Sequence, residues 1–284
     1  YHYLSTKEMK KYLVLLLAIV ITAGCTNSQK DINKRIVTVT IEPLRYFTEQ
    51  IAGDKFIVKT MIPSGNNPET YEPTAKQMID FSRSDIYIKV GNLGFERTWM
   101  KKLTSNAPHT IVVDASDGIN TMKSISGVPD PHTWTSPANA RKICANIYCS
   151  LRDLDEKDSV YFYKRLQELY KKIDAVDFAI RNNMSHIKNR SFLIYHPALT
   201  YFANDYKLTQ IPIEEEGKEP SASQMLDIIN KAKANDVKVM FIQKEFKSRN
   251  TEVICNSTKA KTIEINPLSY DWCKEMTNIS EKLK

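Results

Sequence analysis

The sequence predicts an α/β protein of two Rossmann-like lobes, each with a mostly parallel four-stranded sheet, joined by one long backbone helix. Short runs of β-branched residues alternate with helical stretches both before and after the middle of the chain, and this alternation is typical of βαβ units. Between the two halves, residues 155–188 contain neither Gly nor Pro, and their apolar side chains recur at helical spacing. The chain therefore divides into lobes at 35–154 and 189–284 and a linking helix at 155–188.

The amino-terminal lobe alternates strand and helix signals from its first residue. Strands are predicted at Arg35–Ile41, Phe56–Ile62, Asp85–Val90 and Thr110–Asp114, and helices at Pro43–Gly53, Thr74–Ser84 and Pro137–Leu154. The strands are rich in Val, Ile and Thr, which favour a pleated, half-buried surface. No helix or strand is predicted for residues 92–109.

The linking helix is predicted from one apolar stripe. Its members are Val160, Tyr163, Leu166, Leu169, Tyr170, Ile173, Val176 and Ile180. An uninterrupted helix of this length is stiff, so we expect it to act as a spine that allows only modest motion between the lobes.

The carboxy-terminal lobe resumes the alternation. Strands are predicted at Ser191–Tyr195, Gln210–Ile213, Val237–Ile242 and Lys261–Ile265, and helices at Pro197–Tyr206, Ser221–Ala234, Asn250–Ser257 and 271–284. Ser221 has the side chain of a good N-cap. No sequence repeat relates the two lobes.

The composition excludes several classes of protein. With 42% apolar and 26% charged residues, 8 Gly and 12 Pro, the chain is neither disordered, collagenous nor a coiled coil. The formal charge is +7, and because residues 1–24 hold three Lys and one Glu, the remainder carries about +5. No block of like charge suggests a nucleic-acid groove. Five Cys without a C-x-x-C pair argue against a thiolate zinc site. The sequence does not decide whether Cys255 and Cys273 form a disulfide.

The first residues have the pattern of an export signal. Lys10 and Lys11 precede an apolar run over 12–21, which is too short to span a bilayer, and small residues follow it. Residues 21–25 resemble a lipoprotein box, in which Cys25 becomes the lipidated first residue. We therefore expect a signal peptide at 1–25, a tether at 26–34, and an exported protein anchored on the periplasmic or extracytoplasmic face of a membrane. The alternative is a plain signal peptide with an incidental Cys.

Four side chains with metal-binding potential follow predicted strands. His196 and Asn266 come directly after strands of the second lobe, while Glu69 and His132 lie in loops that follow strands of the first. Because ligands of open α/β sheets bind beyond the carboxyl ends of the strands, we expect these four residues to meet where the lobes face each other.

Five short motifs carry a resemblance to a known family. They are Pro68-Glu-Thr-Tyr-Glu-Pro73, Asp130-Pro-His-Thr-Trp134, Tyr195-His-Pro-Ala198, Glu219-Pro-Ser221 and Asn266-Pro-Leu268. In this order they resemble the solute-binding lipoproteins of zinc and manganese ABC importers (cluster A-I, bacterial solute-binding protein family 9). The resemblance implies a metal ion held between two similar lobes and delivery of that ion to a permease in the cytoplasmic membrane, driven by a cytoplasmic ATPase. We expect a monomer without catalytic activity.

The resemblance assigns the ligands residue by residue, with two departures. His132 and His196 match two family ligands, whereas Glu69 stands where the family usually has His, and Asn266 stands where it often has Asp. The family's long His- and acid-rich loop is also missing. A neutral amide binds zinc weakly, so a water molecule is an alternative fourth ligand. Glu214, Glu215 and Glu216 are candidates for orienting the ligands.

Two imidazoles and a carboxylate suit Zn²⁺, with Mn²⁺ or Fe²⁺ as the alternative cargo because the carboxylate shifts the balance toward harder ions. Two other classes of function remain open. A secreted zinc metalloenzyme would use the same ligand types with an open coordination position, although no H-E-x-x-H motif occurs. A receptor for an organic ligand, such as a metal chelate, would need a wide cleft.

Overall fold

The computed structural model describes residues 34–124, 127–214, 217–244 and 250–284. The predicted signal peptide, the lipoprotein box with Cys25 and the tether up to residue 33 lie outside the described residues. Ile36–Lys284 forms one compact unit. In the part of the chain that the structure describes, no helix has both the length and the apolar character needed to cross a membrane.

The first half of the chain forms a parallel sheet of four strands. These are β1 (Ile36–Val39), β2 (Ile57–Thr60), β3 (Ile86–Lys89) and β4 (Ile111–Asp114), in the order β2-β1-β3-β4. The helices are α1 (Glu42–Ala52), α2 (Ala75–Ser82), α3 (Gly94–Ser105) and α4 (Pro137–Leu154). The central strands β1 and β3 are the most buried, as expected for a sheet covered on both faces.

The second half repeats this arrangement. Its strands are β5 (Ser191–Ile194), β6 (Thr209–Pro212), β7 (Val239–Gln243) and β8 (Lys261–Ile265), all parallel in the order β6-β5-β7-β8. The helices are α6 (Thr200–Asp205), α7 (Ala222–Ala234), α8 (Asn250–Thr258) and α9 (Trp272–Glu281). The same strand order in both sheets reveals an internal structural repeat that the sequence does not show. The predicted fold class is confirmed.

The long helix α5 (Ser159–Ser185) connects the two sheets. Its buried side chains pack against α1, α4 and α9: Phe162, Leu166, Leu169, Ile173, Val176, Ile180 and Met184. Two members of the predicted stripe are exposed, Val160 at 65% and Tyr163 at 51%, and a third, Tyr170, is only partly buried. At this end of the helix Phe162 takes the core position instead, stacked near Phe56.

Helix α3 is absent from the sequence prediction. Leu93 occupies its N-cap and Gly94 is its first residue, so it begins without the usual capping side chain and with a poor helix former. The carboxylate of Glu96 supplies the cap from inside the helix by accepting hydrogen bonds from the Gly91 and Leu93 N–H groups. Phe95 on the inner face is buried.

The structure corrects the predicted length of helix α6 and answers whether Cys255 and Cys273 form a disulfide. Helix α6 is shorter than predicted, since a tight turn in which the Ala198 N–H bonds the His196 carbonyl at 2.7 Å precedes it. Cys255 and Cys273 are both free thiols. Cys255 contacts Met240 and Thr262, while Cys273 contacts Tyr46.

Candidate metal centre

His132 lies between β4 and α4, just before a 3₁₀ turn at Thr133–Thr135. The Asp130 carboxylate holds it twice, since Asp130 Oδ1 is 2.8 Å from both the His132 backbone N and Nδ1. The Thr135 hydroxyl donates to the His132 carbonyl at 2.9 Å. With 6% exposure, the ring has little freedom to rotate.

His196 lies immediately after β5 and is 7% exposed. Its Nδ1 is 2.5 Å from Glu214 Oε1. The amide of Gln243, the last residue of β7, donates to the His196 carbonyl at 2.7 Å and accepts from its N–H at 3.3 Å. Neighbouring strand ends therefore fix both the ring and the backbone of His196.

The two imidazoles face each other across the seam between the halves. Their Nε2 atoms are 3.1 Å apart, and the ring planes are inclined by 72°. A carboxylate at Nδ1 favours the tautomer with the proton on Nδ1, which leaves lone pairs on both Nε2 atoms. Two lone pairs at this distance repel each other unless a proton or a cation lies between them.

The surroundings give the two rings different proton affinities. Burial is the largest single effect on His132 and lowers its pKa, but the charge and hydrogen bond of Asp130 together with the charges of Glu69 and Glu214 outweigh it, and the net pKa is raised. For His196 burial prevails over the hydrogen bond that Nδ1 donates to Glu214, and the pKa is lowered. As the pH falls, His132 therefore takes the first proton and offers it to His196.

Glu69 lies on the wall of the same cavity. Its Oε2 accepts hydrogen bonds from the Gly94 N–H at 3.0 Å and from Arg97 Nη2 at 3.3 Å. Its Oε1 is buried, with no hydrogen-bond partner among the described residues. A buried carboxylate oxygen without a partner is costly, so this atom points to a bound cation.

The cavity between these residues is small. It is lined by Pro68, Glu69, Leu93, His132, Trp134, His196, Ala198, Gln243, Pro267 and Leu268. Its volume of about 20 Å³ is room for an ion or about one water molecule. Most of the lining residues are apolar, which leaves few positions for water around the polar atoms.

Asn266 follows β8 as predicted but has a different setting. Its Oδ1 accepts the Leu268 N–H at 3.1 Å, and its own N–H donates to Glu275 at 2.7 Å. Its neighbours Pro267 and Leu268 line the cavity, so the side chain closes the turn that presents them. Within the described residues, no group of three or more His, Cys, Asp or Glu side chains is already assembled around a metal position.

Three residues of the site were not among those selected from the sequence. Asp130 lies within the His132 motif, and its position two residues before a histidine was the available signal. Gln243 ends a strand, so the rule that located His196 also locates it. Arg97 belongs to the helix that was not predicted. Of the three consecutive glutamates, Glu214 contacts His196, and residues 215 and 216 lie outside the described residues.

Comparison with known proteins places the chain among metal-uptake proteins. The family described as zinc-uptake complex component A, periplasmic (ZnuA), matches residues 37–284. The chain belongs to this family. Among curated ZnuA relatives, the high-affinity zinc uptake system protein of Bacillus subtilis (strain 168) is 29% identical, over 87% of this chain and 82% of its own.

Other relatives have names that refer to zinc or manganese. The zinc-binding lipoprotein AdcA of Streptococcus pneumoniae serotype 4 is 28% identical over 92% of this chain, which spans 56% of AdcA's length. The manganese ABC transporter substrate-binding lipoprotein PsaA of Streptococcus mitis is 26% identical over 89% of this chain and 87% of its own. A crystal structure of ZnuA superimposes with a TM-score of 0.84 at 31% identity, covering 88% of this chain and 98% of that one.

Proposed function

We propose that this chain is the extracytoplasmic receptor of an ABC importer, which captures Zn²⁺ between its two lobes and delivers it to a membrane permease. The observation that carries the proposal is the pair of Nε2 atoms of His132 and His196, 3.1 Å apart and each backed by a carboxylate at Nδ1. Two nitrogens bound to one tetrahedral zinc lie about 3.3 Å apart. The pair is therefore preorganised for a single ion.

The ligand set consists of three side chains that line the cavity and a water molecule. His132 and His196 supply nitrogen, Glu69 supplies Oε1, and a water molecule completes the coordination. Asn266 shapes the cavity wall through its turn, because its Oδ1 is already bonded to the Leu268 N–H. This assignment differs from the sequence-based expectation only at the fourth position.

Zinc is the preferred cargo on chemical grounds. At a given site with nitrogen and oxygen donors, Zn²⁺ binds more tightly than Mn²⁺ or Fe²⁺, and a small cavity favours a low coordination number. Because some relatives are named for manganese, Mn²⁺ is the alternative cargo. Fe²⁺, which suits the same donor atoms, is the other alternative.

The size of the cavity argues against the two other classes of function. A metalloenzyme needs room for a substrate beside its metal, and a chelate receptor needs a cleft that encloses an organic ligand. A volume of about 20 Å³ accommodates neither. Turnover of ester, amide or phosphate substrates by the zinc-loaded protein would contradict this choice.

The remaining parts of the proposal concern the membrane anchor, the division of the chain into lobes and the oligomeric state. Cys25 is the lipidated residue, 26–34 is a tether, and lobes at 35–154 and 189–284 are joined by the segment 155–188, which contains α5 (Ser159–Ser185). The protein works as a monomer and binds no nucleic acid. Replacing Cys25 by Ser should release the protein from membranes, whereas retention of the C25S variant in the membrane fraction would contradict lipidation.

The binding proposal is tested by removing each imidazole separately. We expect His132→Ala and His196→Ala each to abolish tight Zn²⁺ binding, measured by competition with a chromophoric chelator. His186→Ala is the matched control, because His186 is exposed at the end of α5 and should bind zinc like the wild type. Stoichiometric, tightly held zinc in either of the first two variants would remove that histidine from the site.

A further inference from the structure

Helix α3 contacts Glu69 in a way that leaves only one carboxylate oxygen available. The Gly94 N–H and Arg97 Nη2 both bond Oε2, at 3.0 and 3.3 Å, while Oε1 is buried without a hydrogen-bond partner among the described residues. The positive end of the helix dipole also lies at Oε2. The two oxygens of one side chain are thus in different chemical environments.

The loop that carries Glu69 is fitted tightly against the start of this helix. The Phe95 N–H donates to the Pro68 carbonyl at 2.9 Å. A Cβ at position 94 would lie 2.5 Å from the Glu69 carbonyl oxygen and 2.6 Å from Oε2, closer than atoms can approach. Glycine is therefore required here, and the backbone of Glu69 has little room to shift.

Arg97 connects this contact to the preceding loop. One branch of its guanidinium bonds the Asn92 carbonyl at 2.5 Å and the other bonds Glu69 Oε2. The planar fork fixes the direction from which Oε2 is held, which a lysine ammonium cannot do at both partners. Because the Arg97 side chain is 48% exposed, its ion pair contributes little to folding stability, and its main effect is on orientation.

We propose that Arg97 is a positioning residue that makes Glu69 a one-oxygen ligand and thereby sets the preference for Zn²⁺ over Mn²⁺. The proposal rests on the function proposed above. With Oε2 bound to α3, only Oε1 reaches the ion, and Glu69 contributes a single donor atom. Zinc accepts low coordination numbers. Mn²⁺ prefers six-coordinate sites with mainly oxygen donors, so it gains more from a carboxylate that binds through both oxygens.

The test compares Arg97→Met and Arg97→Lys with Arg152→Met. Arg152 is a matched control, since it is 43% exposed, pairs with Asp153 and lies at the end of α4. We expect R97M to lower Zn²⁺ affinity roughly tenfold and Mn²⁺ affinity less, while R97K gives an intermediate loss and R152M gives none. Thermal unfolding of the metal-free variants should match that of the wild type.

Spectroscopy of the Co²⁺-loaded proteins supplies a readout independent of affinity. Low-coordinate Co²⁺ absorbs visible light strongly, and the absorption weakens as ligands are added. R97M should weaken it because Oε2 is released, and R152M should leave it unchanged. Unchanged Zn²⁺ affinity and Co²⁺ absorption in R97M would overturn the proposal, as would tighter Zn²⁺ binding, which would mean that Arg97 restrains Glu69 from the ion.

A double-mutant cycle separates this inference from the proposed function. In the Glu69→His background the carboxylate is gone, so adding Arg97→Met should cost no further Zn²⁺ affinity. An equal loss in both backgrounds would show that Arg97 acts without Glu69. If the wild type binds no Zn²⁺, or if H132A binds it unchanged, the proposed function itself fails.

Discussion

At the scale of single residues, the metal centre depends on two histidines whose pKa values are shifted in opposite directions. Asp130 keeps the pKa of His132 above its usual range, whereas burial keeps that of His196 below it. The first proton that the metal-free protein takes up at the Nε2 pair is therefore shared with His132 as its main holder, and the incoming ion has to displace it.

This arrangement predicts how Zn²⁺ affinity depends on pH. Because the pKa of His132 is raised above 6.5, affinity should begin to fall while the pH is still above that value, by about one decade per pH unit. The decline should steepen further at the lower pH where His196 also protonates. Competition titrations across this pH range measure how steeply Zn²⁺ affinity falls in each of the two regions. Calorimetry in buffers of different ionisation enthalpy measures the number of protons that zinc releases. Affinity independent of pH down to the usual histidine range would contradict the shared proton.

The carboxylate behind His196 makes a second residue-scale prediction. Replacing Glu214 by Gln removes the charge that holds Nδ1, so Zn²⁺ affinity should fall roughly 10- to 100-fold. Glu252→Gln on α8, which is exposed, serves as the control and should bind zinc like the wild type. If both variants bind zinc equally, Glu214 does not orient the ligand.

Sequence reasoning reached the two histidines because each follows a strand in a proline-flanked motif. It could not choose among three consecutive glutamates, since only the exit path of the chain after β6 decides which carboxylate meets His196. It also missed Arg97, whose contact with Glu69 spans 28 positions and leaves no local pattern.

At the scale of elements, helix starts marked by a capping side chain or by a proline were predicted, whereas helix α3 has neither. The N-caps of helices α2, α4 and α7 are Thr74, Ser136 and Ser221, whose side chains each accept a hydrogen bond from a backbone N–H of the first turn. Helix α3 lacks such a residue, and its cap is the buried carboxylate of Glu96, three residues inside the helix. A search for Ser, Thr, Asp or Asn at the N-cap position therefore does not find this helix.

Glu96 provides a prediction about stability. Its carboxylate is 4% exposed and accepts hydrogen bonds from the Thr40 hydroxyl and from the Val90, Gly91 and Leu93 N–H groups. Glu96→Ala leaves these buried donors unpaired and should lower the free energy of unfolding by about 2–4 kcal/mol. Glu96→Gln, which keeps one acceptor oxygen, should cost less. Urea unfolding of the metal-free variants measures both, and an alanine variant as stable as the wild type would contradict this role.

At the scale of the whole molecule, hydrogen bonds cross the seam as well as the metal site. The Trp134 indole donates to the Pro267 carbonyl, and the Trp272 indole donates to the Trp134 carbonyl, both at 2.8 Å. The Tyr201 hydroxyl donates to the Asp130 carbonyl at 2.8 Å. The seam is thus bonded without an ion, and the long helix α5 packs on both sides of it.

These contacts predict a small motion on metal binding. A compact body of the size of Ile36–Lys284 has a radius of gyration of about 18 Å, and zinc should leave this value essentially unchanged in small-angle scattering. The stiff spine predicted from residues 155–188 has the same consequence. A clear compaction on adding zinc would indicate wide closure of the lobes and contradict this interpretation.

The central claim is that one divalent cation binds between His132 and His196 with Glu69 beside them. Anomalous diffraction at the zinc and manganese edges, on crystals of protein purified without added metal, tests it most directly. We predict a single zinc peak about 2.0–2.1 Å from both Nε2 atoms, with one oxygen of Glu69 in the coordination sphere. A metal peak elsewhere in the molecule, with none between the two imidazoles, would contradict the account.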